Sequence, residues 1–433
     1  MSIEKAPQIK NIFSLSRNEI KLFSAPKIKK IISDCNNDYL YWDKVKYKIT
    51  NSDLDKETLW RLIKFEREMN CQYLKFGNYI FKYTITNKML QKLHELDMDL
   101  GGIVCNEFPL LEEDKSYYIN SSLQEEAISS SKMEGATTTR KMAKELLKKQ
   151  GKPLNISQRM IVNNYDTMKF LLMSKEENLT IPFILETHEK ITAMTLDDEK
   201  DVGNFRSSND VRVVNSLSGE IVHIPPNKDE LPGLLQQLCD FCNNENYQNQ
   251  FIHPIVKGII LHFLLAYFHP FVDGNGRTSR SLVYWYLLKK NYWLTQYLAI
   301  SRIIERQKNK YENSFLYAEY DQNDFSYFIN FNLDALIKAK EELKIYIKRK
   351  NKERNSLELF MNLENVTQRQ SYILKEFKEN SDIIMTVSEI QNMFNISNQT
   401  SRTDLNNLVS LGYLIKLKLN GKKTGYALVK KDV

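Results

Sequence analysis

Two apolar helices joined by a glycine-containing junction constrain this chain more than any other feature. Ile255 to Phe268 reads as an apolar helix, and Ser279 to Lys290 (SRSLVYWYLLKK) reads as a second one ending in cations, as the helix dipole favours. The longest apolar run, around Gly258 to Phe268, is too short to span a bilayer and carries His262. What lies between the helices is His269-Pro270-Phe271-Val272-Asp273-Gly274-Asn275-Gly276-Arg277-Thr278-Ser279-Arg280.

These residue types suit one kind of chemistry. Gly274 and Gly276 let the backbone turn with its N–H groups exposed, and the following helix points its positive end at that turn, an arrangement that binds phosphate. Arg277 and Arg280, three apart, share one face of the first turn and can grip phosphate oxygens bidentately. Asp273 offers a hard oxygen to a magnesium ion carried by a polyphosphate. His269 can accept a proton near neutral pH and is the candidate base for an attacking hydroxyl. Taken singly, each feature has a plain structural explanation: an Asp-Gly-Asn-Gly turn, a histidine cap, a solvated pair of arginines. Their co-occurrence in this order favours the chemical reading.

The string resembles the signature of the Fic family, His-x-Phe-x-Asp/Glu-Gly-Asn-Gly-Arg-x-x-Arg. That resemblance implies transfer of AMP from ATP to a protein hydroxyl, with pyrophosphate leaving. It implies His269 as the base, Asp273 as the magnesium ligand, Gly274, Asn275 and Gly276 as the phosphate cradle, and Arg277 and Arg280 on the outer phosphates. The related Doc kinases have lysine where this chain has Gly276 and lack the last arginine, so the sequence sides with the AMP-transferring branch.

Upstream, Ser130-Ser131-Lys132-Met133-Glu134-Gly135 ends a helix over Tyr117 to Met133 and places Ser130 and Glu134 on one face. By itself this is a helix end closed by glycine. It also resembles the family's inhibitory motif, Ser/Thr-x-x-x-Glu-Gly/Asn, which implies that Ser130, Glu134 and Gly135 form a restraint in which Glu134 reaches Arg280 and fills space needed by the ATP γ-phosphate. Val211-Arg212-Val213-Val214 and Ile221-Val222-His223-Ile224 alternate about a Ser-Gly turn and read as a β-hairpin. By resemblance this is the flap, on which Val211, Arg212 and Val213 dock a target by main-chain pairing.

At 433 residues, 42% hydrophobic and 27% charged, the chain suits two or three globular domains, and its net charge of +7 reads as spread over many lysines. Cys35, Cys71, Cys105, Cys239 and Cys242 are too sparse for a disulfide framework and point to a reducing compartment. Cys239 and Cys242, a lone Cys-x-x-Cys inside a helix, read as core residues ahead of a zinc or redox pair. With no apolar leader at the N-terminus, the expected location is cytoplasmic.

The first fifty residues have no evident fold beyond the aromatic cluster Tyr39 to Trp42, expected to anchor the segment. Helical spacing follows over Glu57–Met69, Lys88–Leu100, Thr138–Gln150, Gln158–Met173, Pro182–Met194, Asp229–Asn243, Ser301–Glu319 and Phe325–Arg349, with Tyr79–Thr86 extended. Lys348 to Ser356 reads as a linker or a solvated helix end. From Thr367 onward, helices over Gln370–Phe377, Val387–Met393 and Ser397–Leu411 precede strands Leu414–Leu419 and Gly425–Val429 about Asn420-Gly421. This pattern resembles a winged helix, with Asn398, Gln399, Ser401 and Arg402 opening the recognition helix and Lys416, Lys418, Lys422 and Lys423 facing phosphates.

The expected architecture is mainly α: an N-terminal segment (1–110), a Fic-type helical core with a β-hairpin flap (111–350), and a winged-helix domain (367–433). The expected function is a protein adenylyltransferase using ATP and Mg2+, restrained by Glu134, acting on a target protein and on itself. Removal of AMP, with Glu134 orienting water, and a DNA-binding regulator with a Fic sensor core stay open beside it. A homodimer is allowed and no membrane partner is expected.

Overall fold

The helix Pro254–Phe268 buries every residue from Ile255 to Leu265 as well as Phe268, Lys257 included, so the first unit is built around it. The computed structural model describes residues 3–9, 11–49, 54–101, 112–148, 151–214, 219–361, 363, 365–379, 383–394, 396–420 and 423–429. It divides into two units, 1–343 and 344–433.

In the first unit, α1 (Arg17–Ser24), α2 (Pro26–Asn37) and α3 (Trp42–Val45) open the chain. Helices here depart from the expectation of a segment without a fold. The periodicity is faint because α1 buries nothing and α2 only Ile32 and Cys35, while a Ser16–Glu19 capping box and a proline at the start of α2 define the ends. α4 (Lys56–Asn70) leads into a hairpin of β1 (Gln72–Phe76) and β2 (Tyr79–Tyr83), of which only β2 was legible as extended. A buried polar knot ties this region down. Lys64 pairs with Asp321 at 2.8 Å, Arg67 donates to Tyr327 Oη at 2.6 Å, and Tyr39 donates to Asp324 at 2.7 Å. Removing one partner of such a buried pair costs about 3–5 kcal/mol.

α5 (Asn87–Leu96), α6 (Glu112–Met133), α7 (Arg140–Lys148), α8 (Ile156–Met173) and α9 (Ile181–Thr192) follow. The short antiparallel pair β3 (Val213–Val214) and β4 (Ile221–His223) then precedes α10 (Leu231–Asn243), α11 (Pro254–Phe268) and α12 (Asn275–Lys289). α12 starts at Asn275, four residues before the expected Ser279, because Gly274 is its N-cap and Asn275 turns its side chain back instead of breaking the helix. The expected single helix over Ser301–Glu319 is two, α13 (Ile300–Arg306) and α14 (Lys308–Tyr320), broken where Gln307 leaves helical backbone at φ −122°. α15 (Ser326–Met361) remains helical through the charged stretch Lys348 to Ser356, which is therefore part of a helix and not a linker, the second of the two expectations for it, and the unit boundary falls inside α15. Cys239 and Cys242 are buried in α10, where burial raises both thiols, and no metal-binding group of three or more ligands occurs among the described residues; Cys105 lies outside them.

The second unit contains α16 (Gln368–Glu379), β5 (Met385–Thr386), α17 (Val387–Phe394), α18 (Asn398–Ser410), β6 (Leu414–Asn420) and β7 (Lys423–Leu428), with sheet order β5-β7-β6. Ile373, Leu374, Phe377, Ile390, Leu405 and Leu408 from the three helices close over Leu414 and Tyr426 of the wing. Ser397 caps α18 by accepting the Thr400 N–H at 3.0 Å. Asn398, Gln399 and Arg402 are exposed, but Ser401 is fully buried and bonded to Ser397 O, so it cannot belong to a reading surface. Gly421 and Lys422 of the turn lie outside the described residues. Residues 344–433 hold 16 Lys and Arg against 9 Asp and Glu, which accounts for the whole +7. Among the described residues no helix is long and apolar enough to cross a membrane.

Candidate active site

His269 ends α11 in the left-handed region, at φ 46° and ψ 58°. That conformation costs a non-glycine residue about 1–3 kcal/mol and persists only where neighbours enforce it. Here the His269 N–H bonds Leu265 O at 3.1 Å, and Arg206 holds the next two carbonyls, its Nε donating to His269 O at 3.0 Å and its backbone N–H to Pro270 O at 2.8 Å. His269 Nδ1 lies 3.2 Å from Ala266 O. A carbonyl can only accept, so Nδ1 carries the proton and the lone pair sits on Nε2, the form a general base requires. Burial lowers the imidazole pKa to about 4, with His223 and Arg206 adding to the effect, so the ring is neutral at physiological pH.

The loop beyond it is closed by its own side chains. Asn275 Oδ1 accepts the Phe271 N–H at 3.0 Å and its Nδ2 donates to Phe271 O at 2.8 Å, so this side chain braces the turn and leaves only its backbone for a ligand. Phe271 stacks on His188 at 3.7 Å. His188 Nδ1 accepts the Gly203 N–H at 3.1 Å, which assigns the ring proton to Nε2 and makes the 2.9 Å contact with Asp273 O a donated bond. Burial again holds this ring down to about 4. Gly274, at φ 83°, is packed so closely that a Cβ would lie 2.7 Å from Thr192 Cγ2.

Arg280 reaches across to the end of α6. Its Nε donates to Ser130 Oγ at 3.0 Å, and Nη2 donates to Ser130 O at 3.1 Å and to Glu134 Oε1 at 2.8 Å. Ser130, Glu134 and Arg280 are thus brought together, with Gly135 at φ 94° closing the helix. The Glu134 carboxylate lies over Gly276, where a Cβ would fall 2.2 Å from its Oε1. Burial raises the Glu134 pKa, but the Arg280 charge and hydrogen bond outweigh it and hold the carboxyl below its usual range. Arg277 is fully buried, donating to Ile191 O at 3.2 Å and lying 3.4 Å from Asp273 Oδ2, while its Nε has no partner among the described residues. The Asp273 side chain is 58% exposed. It fits a magnesium ion that brings most of its own oxygen ligands, since one protein carboxylate plus phosphates and water is the usual Mg2+ arrangement.

In the β3–β4 pair, Val213 pairs with His223 and Val214 with Ile221 across an irregularity in register; Val211 and Arg212, expected in the strand, precede the paired residues, and Arg212 is exposed. Sequence reasoning missed Arg206, His188 and the bracing role of the Asn275 side chain. Arg206 stands in the Gly203-Asn204-Phe205-Arg206 run that breaks helical periodicity, which was the only available signal. His188 lies inside a helix and offered none.

Comparison with known proteins agrees with this geometry. Residues 178–287 match the family model described as Fic/DOC family, and residues 369–421 match the DeoR-like helix-turn-helix domain. The chain is 35% identical over 127 residues to the protein adenylyltransferase Fic of Drosophila willistoni, covering 29% of this chain and 23% of that protein. It is 26% identical over 206 residues to the protein adenylyltransferase Fic of Nematostella vectensis, covering 46% and 44%. The aligned segments therefore span less than half of these relatives' own length. The crystal structure of a Fic family protein from Desulfovibrio desulfuricans G20 has the same fold, at 20% identity and a TM-score of 0.51 over 81% of this chain and 98% of that one. The architecture is a mainly helical Fic-type core with a carboxyl-terminal helix-turn-helix unit. The chain carries a Fic/DOC family domain.

Proposed function

We propose that the protein is an adenylyltransferase that moves AMP from ATP, with Mg2+, onto a hydroxyl of a target protein and of itself, restrained by Glu134. The hydroxyl oxygen would bond to the α-phosphorus as the bond to the β-phosphate oxygen breaks. His269 Nε2 takes the hydroxyl proton, and pyrophosphate leaves. Arg277, Arg280 and the N–H groups opening α12 hold phosphate oxygens, and a magnesium ion on Asp273 would offset the charge of the leaving group. The observation that carries the reading is the 2.8 Å Arg280–Glu134 pair seated on Gly276. It puts a carboxylate on the guanidinium and over the helix N-terminus that a triphosphate would use, beside an imidazole in the tautomer of a base. Incubation of Glu134→Gly protein, in which the restraint is lifted, with ATP labelled on either the α- or the γ-phosphate tests it. Label on protein from the α-position alone supports AMP transfer, label from the γ-position means phosphoryl transfer, and label from neither removes the reading. Asp273→Ala should weaken binding of ATP in the presence of magnesium and leave metal-free binding unchanged.

The second unit supports a further reading, DNA binding. Its net +7, the helix-turn-helix match and the exposed Asn398, Gln399 and Arg402 on α18 favour a polyanionic duplex as partner.

A further inference from the structure

The geometry points to Arg206 as the residue that positions the candidate base, by fastening the backbone of His269 to both feet of the flap. This rests on the proposed role of His269. Arg206 precedes β3 and is 3% exposed. Its Nε takes His269 O and its own N–H takes Pro270 O. Nη1 donates to Ser208 O at 2.9 Å and to Asn209 Oδ1 at 3.2 Å, on the approach to β3, while Nη2 donates to Pro226 O, on the exit from β4. A single guanidinium therefore bridges the carbonyl of the base and the two chain segments that carry the hairpin.

The flap supplies a second cap of the same kind. His223 on β4 directs Nε2 to Tyr267 O at 2.7 Å and Nδ1 to Glu319 Oε2 at 2.8 Å. With Ala266 O taken by His269 itself, groups from the flap and its approach satisfy the carbonyls of Tyr267, His269 and Pro270 at the end of α11, which the helix leaves without partners. Cations at a helix C-terminus are also favoured by the dipole. Arg206 has no carboxylate partner among the described residues, and burial lowers its pKa, with Arg212 contributing. Such a placement is explained by its five planar donors, which can serve several carbonyls at once where a lysine would reach one or two. Because this guanidinium holds the carbonyl of His269 and ties it to the feet of the flap, losing it loosens the imidazole from its pose. A target segment docked on the flap and the base that serves it then no longer share a frame. The charged and titratable groups facing His269 are His223 from β4, Arg206 from the approach to β3, and Glu134 from the end of α6.

The test uses full-length Glu134→Gly protein as parent, with Arg206→Met and Arg206→Lys added to it. Three quantities are read: affinity for magnesium-ATP, the rate of AMP incorporation, and the imidazole nitrogen NMR signals of His269 as a function of pH. Nucleotide affinity should stay within about twofold while incorporation falls roughly a hundredfold in Arg206→Met and about tenfold in Arg206→Lys, the scale expected of a misplaced reacting group. In both variants the His269 signals should move from a fixed Nδ1–H form towards the tautomer mixture of free imidazole, and in Arg206→Met the titration should also move to higher pH as a neighbouring cation is lost. A parental rate in Arg206→Lys, or a fall in rate matched by an equal fall in nucleotide affinity, overturns the assignment. Should Arg206→Met fail to fold, Arg206→Lys decides alone. If the parent incorporates no AMP, the adenylyltransferase reading fails, and the NMR signals judge Arg206 separately: unchanged tautomer signals overturn it.

Discussion

The two units handle charge in opposite ways. Residues 1–343 hold as many acidic as basic side chains, and the important ones work in pairs, Lys64 with Asp321 buried on both sides and the buried Arg280 with the partly exposed Glu134. Residues 344–433 carry a surplus of seven cations, with Lys416 and Lys418 of β6 and Arg402 of α18 exposed. Paired charges joined by directional hydrogen bonds choose a single ligand geometry, whereas a surplus on a surface attracts an extended polyanion through its counterions. The difference teaches where single substitutions should matter most. In the first unit one side chain can decide the outcome, and in the second each cation contributes a share.

The largest effect should come from His269→Ala. AMP incorporation should fall by about two to four powers of ten with nucleotide still bound, the usual worth of a positioned acid or base. Retained activity, measured with α-labelled ATP, would remove His269 as the base and with it the contrast between the units. Next comes Glu134→Gly, which frees Arg280 and the space over Gly276. Incorporation should rise by roughly ten- to a hundredfold, the scale of restoring a misplaced phosphate, and adding Arg280→Ala should cancel the gain. Equal incorporation by wild type and Glu134→Gly would mean that the pair is structural.

How far the sequence could be read follows the same division between local pattern and distant partner. His269 to Arg280 stood out because residue types suited to phosphate, metal and proton chemistry occur there together, and the Ser130–Glu134 spacing placed both on one face while the family resemblance implied the contact with Arg280. The wing and its three helices were legible from caps and turn residues alone. Arg206 was not, since its partners are carbonyls 20 and 63 residues away, and a carbonyl has no sequence. The break at Gln307 escaped because apolar positions continue in phase across it. β5 escaped because two residues give no period, and Ser401 was misjudged because an N-terminal helix position does not reveal which face the core claims.

A smaller effect concerns pH. With burial holding His269 down to about 4, the neutral base persists well below the range of an ordinary histidine. The kcat/KM for AMP transfer should be level from about pH 5 to 8 and fall about tenfold per unit below about pH 4, because protonation of Nε2 removes the acceptor. Initial rates from short incubations after a pH jump would show it. An acid limb near 6.5 would mean that His269 is far better solvated than the buried ring described here.

The smallest effect belongs to the second unit, and it distinguishes a shared charge surplus from a single decisive pair. If Lys416 faces a phosphate, neutralising it removes one counterion from those released on binding, which lowers the slope of log affinity against log salt by about 0.9. Full-length protein carrying Lys416→Gln and the parent should therefore both lose affinity for a mixed-sequence duplex between 50 and 200 mM salt, the variant by about three- to fourfold less. Arg402→Ala should do more than this if α18 lies in a groove, because a guanidinium on a base edge contributes roughly 1–3 kcal/mol of discrimination in addition to its charge. Fluorescence anisotropy at four salt concentrations gives both slopes. Parallel lines for parent and Lys416→Gln would place the wing away from the phosphates. Binding indifferent to salt in all three proteins would mean that the seven surplus cations of this unit serve something other than nucleic acid.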